Sequence, residues 1–280
     1  MDNKYDIIII GAGLGGLECA YILSKKGYKV CVLEKNPKAG GTLQGFQRGN
    51  CRFSSGMHYI GSLDEGQVMN RMFRYFGILD KLKLKRMDEN GFEVFHIAGK
   101  EYKYPMGHQR FTEQMISYFP EEKKAVEKYV ADIQATADEV DVYNLRYPVN
   151  YDIRNSRSLT LGAYEYIRSL SGNTELQNVL AAQNFNYAGT KETSPFYTHA
   201  LINNYYLNSA YKFVGGSDQL VIHLVKNIEE NGGIVLTGKK ANQFVFENDL
   251  LAGVRTENGE IFFADRFISN IHPALTFGMM

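Results

Sequence analysis

Residues 7–10 are four consecutive isoleucines, and positions 11–16 hold four glycines, Gly11, Gly13, Gly15 and Gly16. A β-branched run without alternation suits a parallel strand buried on both faces. The glycines leave the next forty residues little freedom. Leu14 to Lys26 reads as a helix ending at Gly27, and Tyr28 to Leu33 as a second strand with Glu34 at its carboxyl end. The pattern is a βαβ unit, and it constrains the chain to an α/β fold around a parallel sheet.

Each residue type in the turn has a physical task. Gly11 permits the sharp exit from the strand, and Gly13 lets a ligand approach the backbone with no Cβ in the way. Gly16 allows the helix to lie close to the strand. The helix starts with unsatisfied N–H groups, backed by the positive end of its dipole, which suits a pyrophosphate, and Ala12, Leu14 and Gly15 complete the expected cofactor-binding turn. Glu34, eighteen positions after Gly16, can accept hydrogen bonds from a ribose diol and repels a 2′-phosphate. The alternative is a glycine-rich turn that binds nothing. The strand before it, the helix after it and the acid closing the second strand argue for a dinucleotide.

Composition excludes several classes. The 280 residues are 44% hydrophobic with zero formal net charge, which gives no electrostatic reason to expect nucleic acid. No apolar run reaches the length of about 18 residues that a spanning helix needs. Asp2 and Asp6 flank Lys4 at the start, unlike a signal peptide. Cys19, Cys31 and Cys51 have no metal-ligand spacing, so no metal is expected. The chain reads as cytoplasmic and reduced.

The residues after Glu34 decide which dinucleotide. Lys35 opens a short loop ending in Gly40-Gly41-Thr42. Here the chain resembles the large flavoprotein family of amine oxidases, phytoene desaturases and carotenoid isomerases. The segment Gly56-Met57-His58-Tyr59-Ile60-Gly61, with Glu65-Gly66 after it, is similar to the retinol saturase (all-trans-retinol 13,14-reductase) branch. A second match starts at Val214-Gly215-Gly216-Ser217-Asp218-Gln219-Leu220 and runs into a helix with apolar residues at 220, 221, 224, 225 and 228. Ser217 is its expected N-cap, and Gly232-Gly233 closes it. Next come a strand Ile234–Thr237, a hairpin of Gln243–Glu247 with Leu251–Thr256, a strand Ile261–Phe263 and a last strand Arg266–Ser269 before Asn270.

The resemblance implies FAD as cofactor. It places the glycine pair and Thr42 along the flavin's diphosphate and ribityl, and Ala241 beside the adenine. It also implies a Rossmann-like FAD domain, βαβ plus β-meander, made of residues 1–65 and 213–280, with an inserted α+β substrate domain over 66–212. The family continues past this point with a final FAD-domain segment, so the chain reads as the front part of a longer protein.

In the insert, Phe92–Ile97 and Glu101–Tyr104 read as a hairpin around Gly99. Helices are expected over Phe111–Phe119, Glu121–Leu145, Leu159–Leu170, Glu175–Tyr187 and Pro195–Tyr211. Its aromatics (Phe185, Tyr187, Phe196, Tyr197, Tyr205, Tyr206, Tyr211) read either as helix core or as the wall of a tunnel for a polyene. His58 and Tyr59 are placed near the flavin ring by the resemblance, as candidate acids. His199, His223 and His272 read as structural or exposed. Arg71, Arg74 and Arg110 read as solvated surface, with no spacing that converges on a carboxylate.

The function implied is oxidation, saturation or isomerisation of C=C or C–C bonds in an apolar isoprenoid-like substrate. The electron donor or acceptor stays open, and transient membrane contact is implied only by the resemblance. Two other classes compete: a non-catalytic lipid carrier on the same scaffold, like the GDP-dissociation inhibitors, and an amine oxidase.

Overall fold

The computed structural model describes residues 4–147 and 157–280; Asp2 lies outside them. They form two compact units. The first takes in the described residues up to His58, with Phe73–Lys83 and Phe213–Met280; the second holds Tyr59–Met72 and the described part of Leu84–Lys212.

The first unit is built on a six-stranded sheet. The isoleucine run lies in β1 (Lys4–Ile10), followed by α1 (Leu14–Lys25) and β2 (Val30–Leu33). β10 (Ile234–Leu236) pairs parallel to β2, and β13 (Ile261–Ser269) parallel to β1 on its other side. β12 (Leu250–Thr256) and β11 (Ala241–Glu247) then extend the sheet antiparallel, giving the order β10-β2-β1-β13-β12-β11. The sheet is thus a parallel Rossmann-like core with a meander at one edge.

Alternation along β1 assigns its two faces. Ile8 and Ile10 share a buried cluster with Cys31, Leu33, Phe244, Val254 and Phe262. On the opposite face α1 packs against β1 and β2, and against α9 (Asp218–Glu230). Burial in that cluster pushes the Cys31 thiol up to about 12, so it stays a neutral apolar filler. The unit also holds a hairpin of β3 (Gly45–Arg48) with β4 (Cys51–Ser54), and α10 (Pro273–Phe277).

The second unit centres on the hairpin of β7 (Glu93–Ile97) with β8 (Lys100–Tyr104), closed by Ala98 and Gly99. Both turn residues have positive φ (51° and 79°), which matches the twist of the flanking strands. A small sheet joins β5 (Ile60–Gly61), β9 (Ala210–Phe213) and β6 (Leu84–Arg86) in the order β5-β9-β6. Around them lie α3 (His108–Tyr118), α4 (Lys123–Asp138), α5 (Arg157–Thr160), α6 (Ala163–Leu170), α7 (Thr174–Leu180) and α8 (Phe196–Asn208). α2 (Val68–Tyr75) divides between the units at Met72 and Phe73. The second core gathers Tyr104, Phe111, Val126, Tyr129, Ile133, Val179, Phe196 and Leu207.

Several expected elements differ. The helix over Glu121–Leu145 stops at Asp138, because the Asn144 carboxamide folds back and donates to the carbonyls of Ala137 and Val140. Leu159–Leu170 is broken before Gly162, which bridges to Pro195, while Leu161 O accepts from Phe196 N. Glu175–Tyr187 tightens into a 3₁₀ turn over Ala182–Tyr187. Pro195–Tyr211 ends at Asn208, since Ser209 is extended and feeds a strand. Conversely, Ile261–Phe263 and Arg266–Ser269 are one continuous strand. Ser217 holds the N-cap position of α9 but spends its hydroxyl on Leu43 O.

The expected domain limits shift too. Residues 59–65 group with the second unit, where Ile60 pairs with Tyr211 and the Ser62 hydroxyl donates to Tyr205 O. Residues 73–83 group with the first, where Asn227 donates to Phe76 O and accepts from Lys81.

Candidate functional site

The glycine turn is shaped by close contact. A Cβ on Gly16 would lie 2.1 Å from Gly11 O, so no other residue fits where α1 meets β1. No side chain caps α1; its N-cap is Gly13. Gly13 and Leu14 are half-buried and Gly15 is exposed, so the helix start faces solvent with its donors unclaimed by a cap. Ala12, by contrast, is buried, and its N–H is already engaged.

Its acceptor is Glu34. The Glu34 side chain is 5% exposed; Oε2 accepts from Ala12 N at 2.9 Å, and Oε1 accepts from Asn36 N and Nδ2 at 2.9 and 2.8 Å. A carboxylate has about four lone-pair sites, so three accepted bonds leave room at Oε2 for one further donor. The acid therefore ties the glycine turn to the loop beyond β2 and retains capacity for a hydroxyl. Lys35 is exposed, on a recess it shares with Asn36, Gly238, Lys240, Glu257 and Asn258.

The second glycine pair closes onto the first loop. Gly40 N donates to Ala12 O at 2.7 Å, and a Cβ on Gly41 would lie 3.3 Å from Gly13 Cα. Gly40 has φ +117°, and a Cβ there would strike Val221 Cγ2 at 2.7 Å. Thr42 lies in the 3₁₀ turn Gly41–Leu43 and is exposed. Ala241 opens β11 opposite Thr256.

Asn270 is a residue that pattern reading did not bring to this site. Its backbone N donates to Ile10 O at 2.8 Å, and Cβ atoms on Gly15 and Gly16 would lie 3.1 and 3.2 Å from its carboxamide. The available signal was its place directly after β13, the strand paired with β1.

The two catalytic candidates part company. His58 ends its segment of the first unit, exposed, and makes no hydrogen bond among the described residues. Tyr59 belongs to the second unit, where its hydroxyl donates to Glu93 and accepts from Asn186 Nδ2 at 3.0 Å. Its ring packs against Tyr206 and Phe92, with centroids 4.6 and 6.4 Å apart. Burial and the neighbouring Glu93 push the Tyr59 phenol well above its ordinary range. Glu93 carried no motif in the sequence. Burial raises its pKa, although hydrogen bonds from Tyr59 and Gln183 pull the other way.

His199 is fully buried rather than exposed. Tyr129 donates to Leu180 O at 3.1 Å and so accepts from His199 Nε2–H at 2.8 Å; Tyr187 then donates to Nδ1 at 2.8 Å. Burial without a charged partner lowers its pKa to about 4. Arg71 donates to the carbonyls of Asn144 and Leu145, and Arg110 to those of Glu89 and Met106, so the two arginines fasten separate loops. Of the insert's aromatics, Phe196 is core and Phe185 is 58% exposed. Among the described residues no cluster could hold a metal, and no helix is long and apolar enough to cross a membrane.

Comparison with known proteins fits this geometry. An NAD(P)-binding Rossmann-like domain matches residues 9–76. All-trans-retinol 13,14-reductase from Macaca fascicularis is 32% identical over 84% of this chain and 41% of its own length. Prolycopene isomerase 2 from an Oncidium hybrid cultivar is 24% identical over 99% of this chain and 50% of its own. The chain thus spans half or less of these relatives. A putrescine oxidase triple mutant superposes with TM-score 0.71 at 16% identity, over 99% of this chain and 60% of that one. A Rab GDI from Plasmodium falciparum superposes with TM-score 0.61 at 16% identity, over 100% and 68%.

Proposed function

We propose that this chain, a homologue of the all-trans-retinol 13,14-reductases and prolycopene isomerases, binds FAD and serves an oxidoreductase acting on C=C or C–C bonds of an apolar isoprenoid or polyene. The observation that carries the reading is the closure of the two glycine loops on an uncapped helix start. Gly16 sits against Gly11 O, and Gly40 N donates to Ala12 O. Around that turn Gly11, Ala12, Gly13, Leu14, Gly15 and Gly16 form a cradle for a diphosphate. The free lone pair of Glu34 takes one ribose hydroxyl. Lys35 borders that ribose, while Gly40, Gly41 and Thr42 border the ribityl side, and Ala241 lies by the adenine.

When bound, the flavin supplies hydride chemistry; the protein's part is to hold and orient it and to manage protons. His58 and Tyr59 are the proposed groups near the reacting carbons. The substrate has few polar handles, so orientation falls to apolar and aromatic walls. We place the protein in the cytoplasm, with transient membrane contact when it collects substrate.

The test is the visible absorbance spectrum of the purified chain after incubation with FAD and removal of free cofactor. Retained flavin bands, lost in Gly16→Ala, support the reading. A colourless protein overturns it and favours a lipid carrier without flavin, the alternative to which the Rab GDI likeness points. Release of peroxide on amines, with no activity on polyenes, would select an amine oxidase instead.

A further inference from the structure

Gly15 is a glycine without a local reason. It lies in the first turn of α1, and its φ is not positive. Glycine at such a place weakens a helix relative to alanine. Its neighbours in the turn are otherwise explained: Gly11 has φ +99°, and a Cβ on Gly16 would strike Gly11 O. The three atoms nearest to a Cβ on Gly15 all belong to the Asn270 carboxamide, Oδ1 at 3.1 Å and both Cγ and Nδ2 at 3.8 Å. Asn270 Nδ2 also lies 3.4 Å from a Cβ on Gly13 and 3.2 Å from one on Gly16. One side chain thus lies across three glycines of the turn, all within the first unit.

The backbone fixes it there. Ser269 pairs with Ile10 at the end of the β1–β13 ladder, and Asn270 N donates to Ile10 O at 2.8 Å. Asn270 O and Ile271 Cγ2 fill the space beside Gly11, 3.1 and 2.9 Å from a Cβ there. The carboxamide itself is exposed and makes no hydrogen bond among the described residues. It offers two donors beside helix N–H groups that no side chain caps. Residues 11–16 and 269–271 contain no lysine or arginine, so an anion at this point is held by neutral donors.

We propose that Asn270 is a further cofactor-binding residue, whose side-chain NH2 donates to the diphosphate at the start of α1. Gly15 is glycine so that this side chain can lie down on the turn. The inference rests on the FAD binding proposed above and adds to it a donor from the far end of the chain. The amide can turn its NH2 towards an anion from either orientation about its terminal bond. Hydrogen bonds to a charged acceptor are the stronger kind, so the contact contributes to affinity as well as to orientation.

The experiment is calorimetric titration of the full chain with FAD and, separately, with ADP. Asn270→Ala is expected to weaken both by about tenfold or more. Asn270→Asp, nearly isosteric, sets a carboxylate against the diphosphate and loses more, and added salt recovers part of that loss. Without ligand, the thermal midpoint of Asn270→Asp holds or rises, because an acid suits a helix start. Gly15→Ala weakens binding by about threefold or more in the parent and has no further effect in Asn270→Ala. Parental affinity in both Asn270 variants overturns the proposal. So does a fall in the ligand-free midpoint of Asn270→Asp, which would make the role structural, or additive losses from Gly15→Ala and Asn270→Ala. If the parent chain binds neither FAD nor ADP, the cofactor reading and this proposal fall together; a parent that binds both, with variants that bind equally well, overturns this proposal alone.

Discussion

At the scale of single residues, the site is governed by contacts too close for substitution and by polar atoms with no spare partner. Gly16→Ala would force a Cβ to within 2.1 Å of Gly11 O, so α1 has to move. We expect a stability loss of about 1–3 kcal/mol in urea unfolding. Glu34→Ala strips the acceptor from the buried Ala12 N–H and is expected to cost about 1–3 kcal/mol before any cofactor is added. An unchanged urea midpoint would show that this carboxylate serves binding only. His199 gives a pH signature. Its pKa is about 4 folded, against about 6.5 unfolded, so below pH 6.5 the unfolded chain binds the extra proton. The stabilisation is whole above pH 6.5 and lost as pH falls towards 4. Urea unfolding at pH 7 and pH 4.5 should show about 2–3 kcal/mol less pH dependence in His199→Asn than in the parent.

At the scale of elements, local signals located the starts of helices better than their ends. α7 begins where Asn173 accepts from the N–H groups of Glu175 and Leu176. Asn173→Ala should therefore cost about 1 kcal/mol, read as a lower thermal midpoint. The ends were set by partners distant in sequence or hidden in side-chain direction. Periodicity carried α4 on through Val140, which is indeed buried, yet the Asn144 carboxamide takes the last carbonyls and stops the helix. Ala210 and Tyr211, the first two residues of the strand Ala210–Phe213, read as the end of a helix because they continue the apolar pattern of α8; their pairing with Gly61 and Ile60 decides otherwise. Ala264-Asp265 looked like a break between two strands. The parallel ladder with β1 carries the chain straight through it.

At the scale of the whole molecule, two units with separate cores share one chain, and the first returns to its own sheet after a long excursion. If the first unit holds FAD, cofactor at about 100 times its Kd should add about 2.7 kcal/mol to stability. A thermal midpoint that does not respond to FAD concentration would argue against the site.

The sequence by itself determined the βαβ unit, the tight glycine turn with its acid, and the meander that completes the sheet. These depend on residue type at fixed short spacing: isoleucines that must be buried on both faces, and glycines where a Cβ has no room. Only the tertiary structure decided that Glu34 is bonded to Ala12 and Asn36, that Asn270 lies against the glycine turn, and that Tyr59 meets Glu93. Those groups come from separate strands and turns, and no local pattern marks them. Their chemistry arises from burial and hydrogen-bond partners that exist only once the chain has folded.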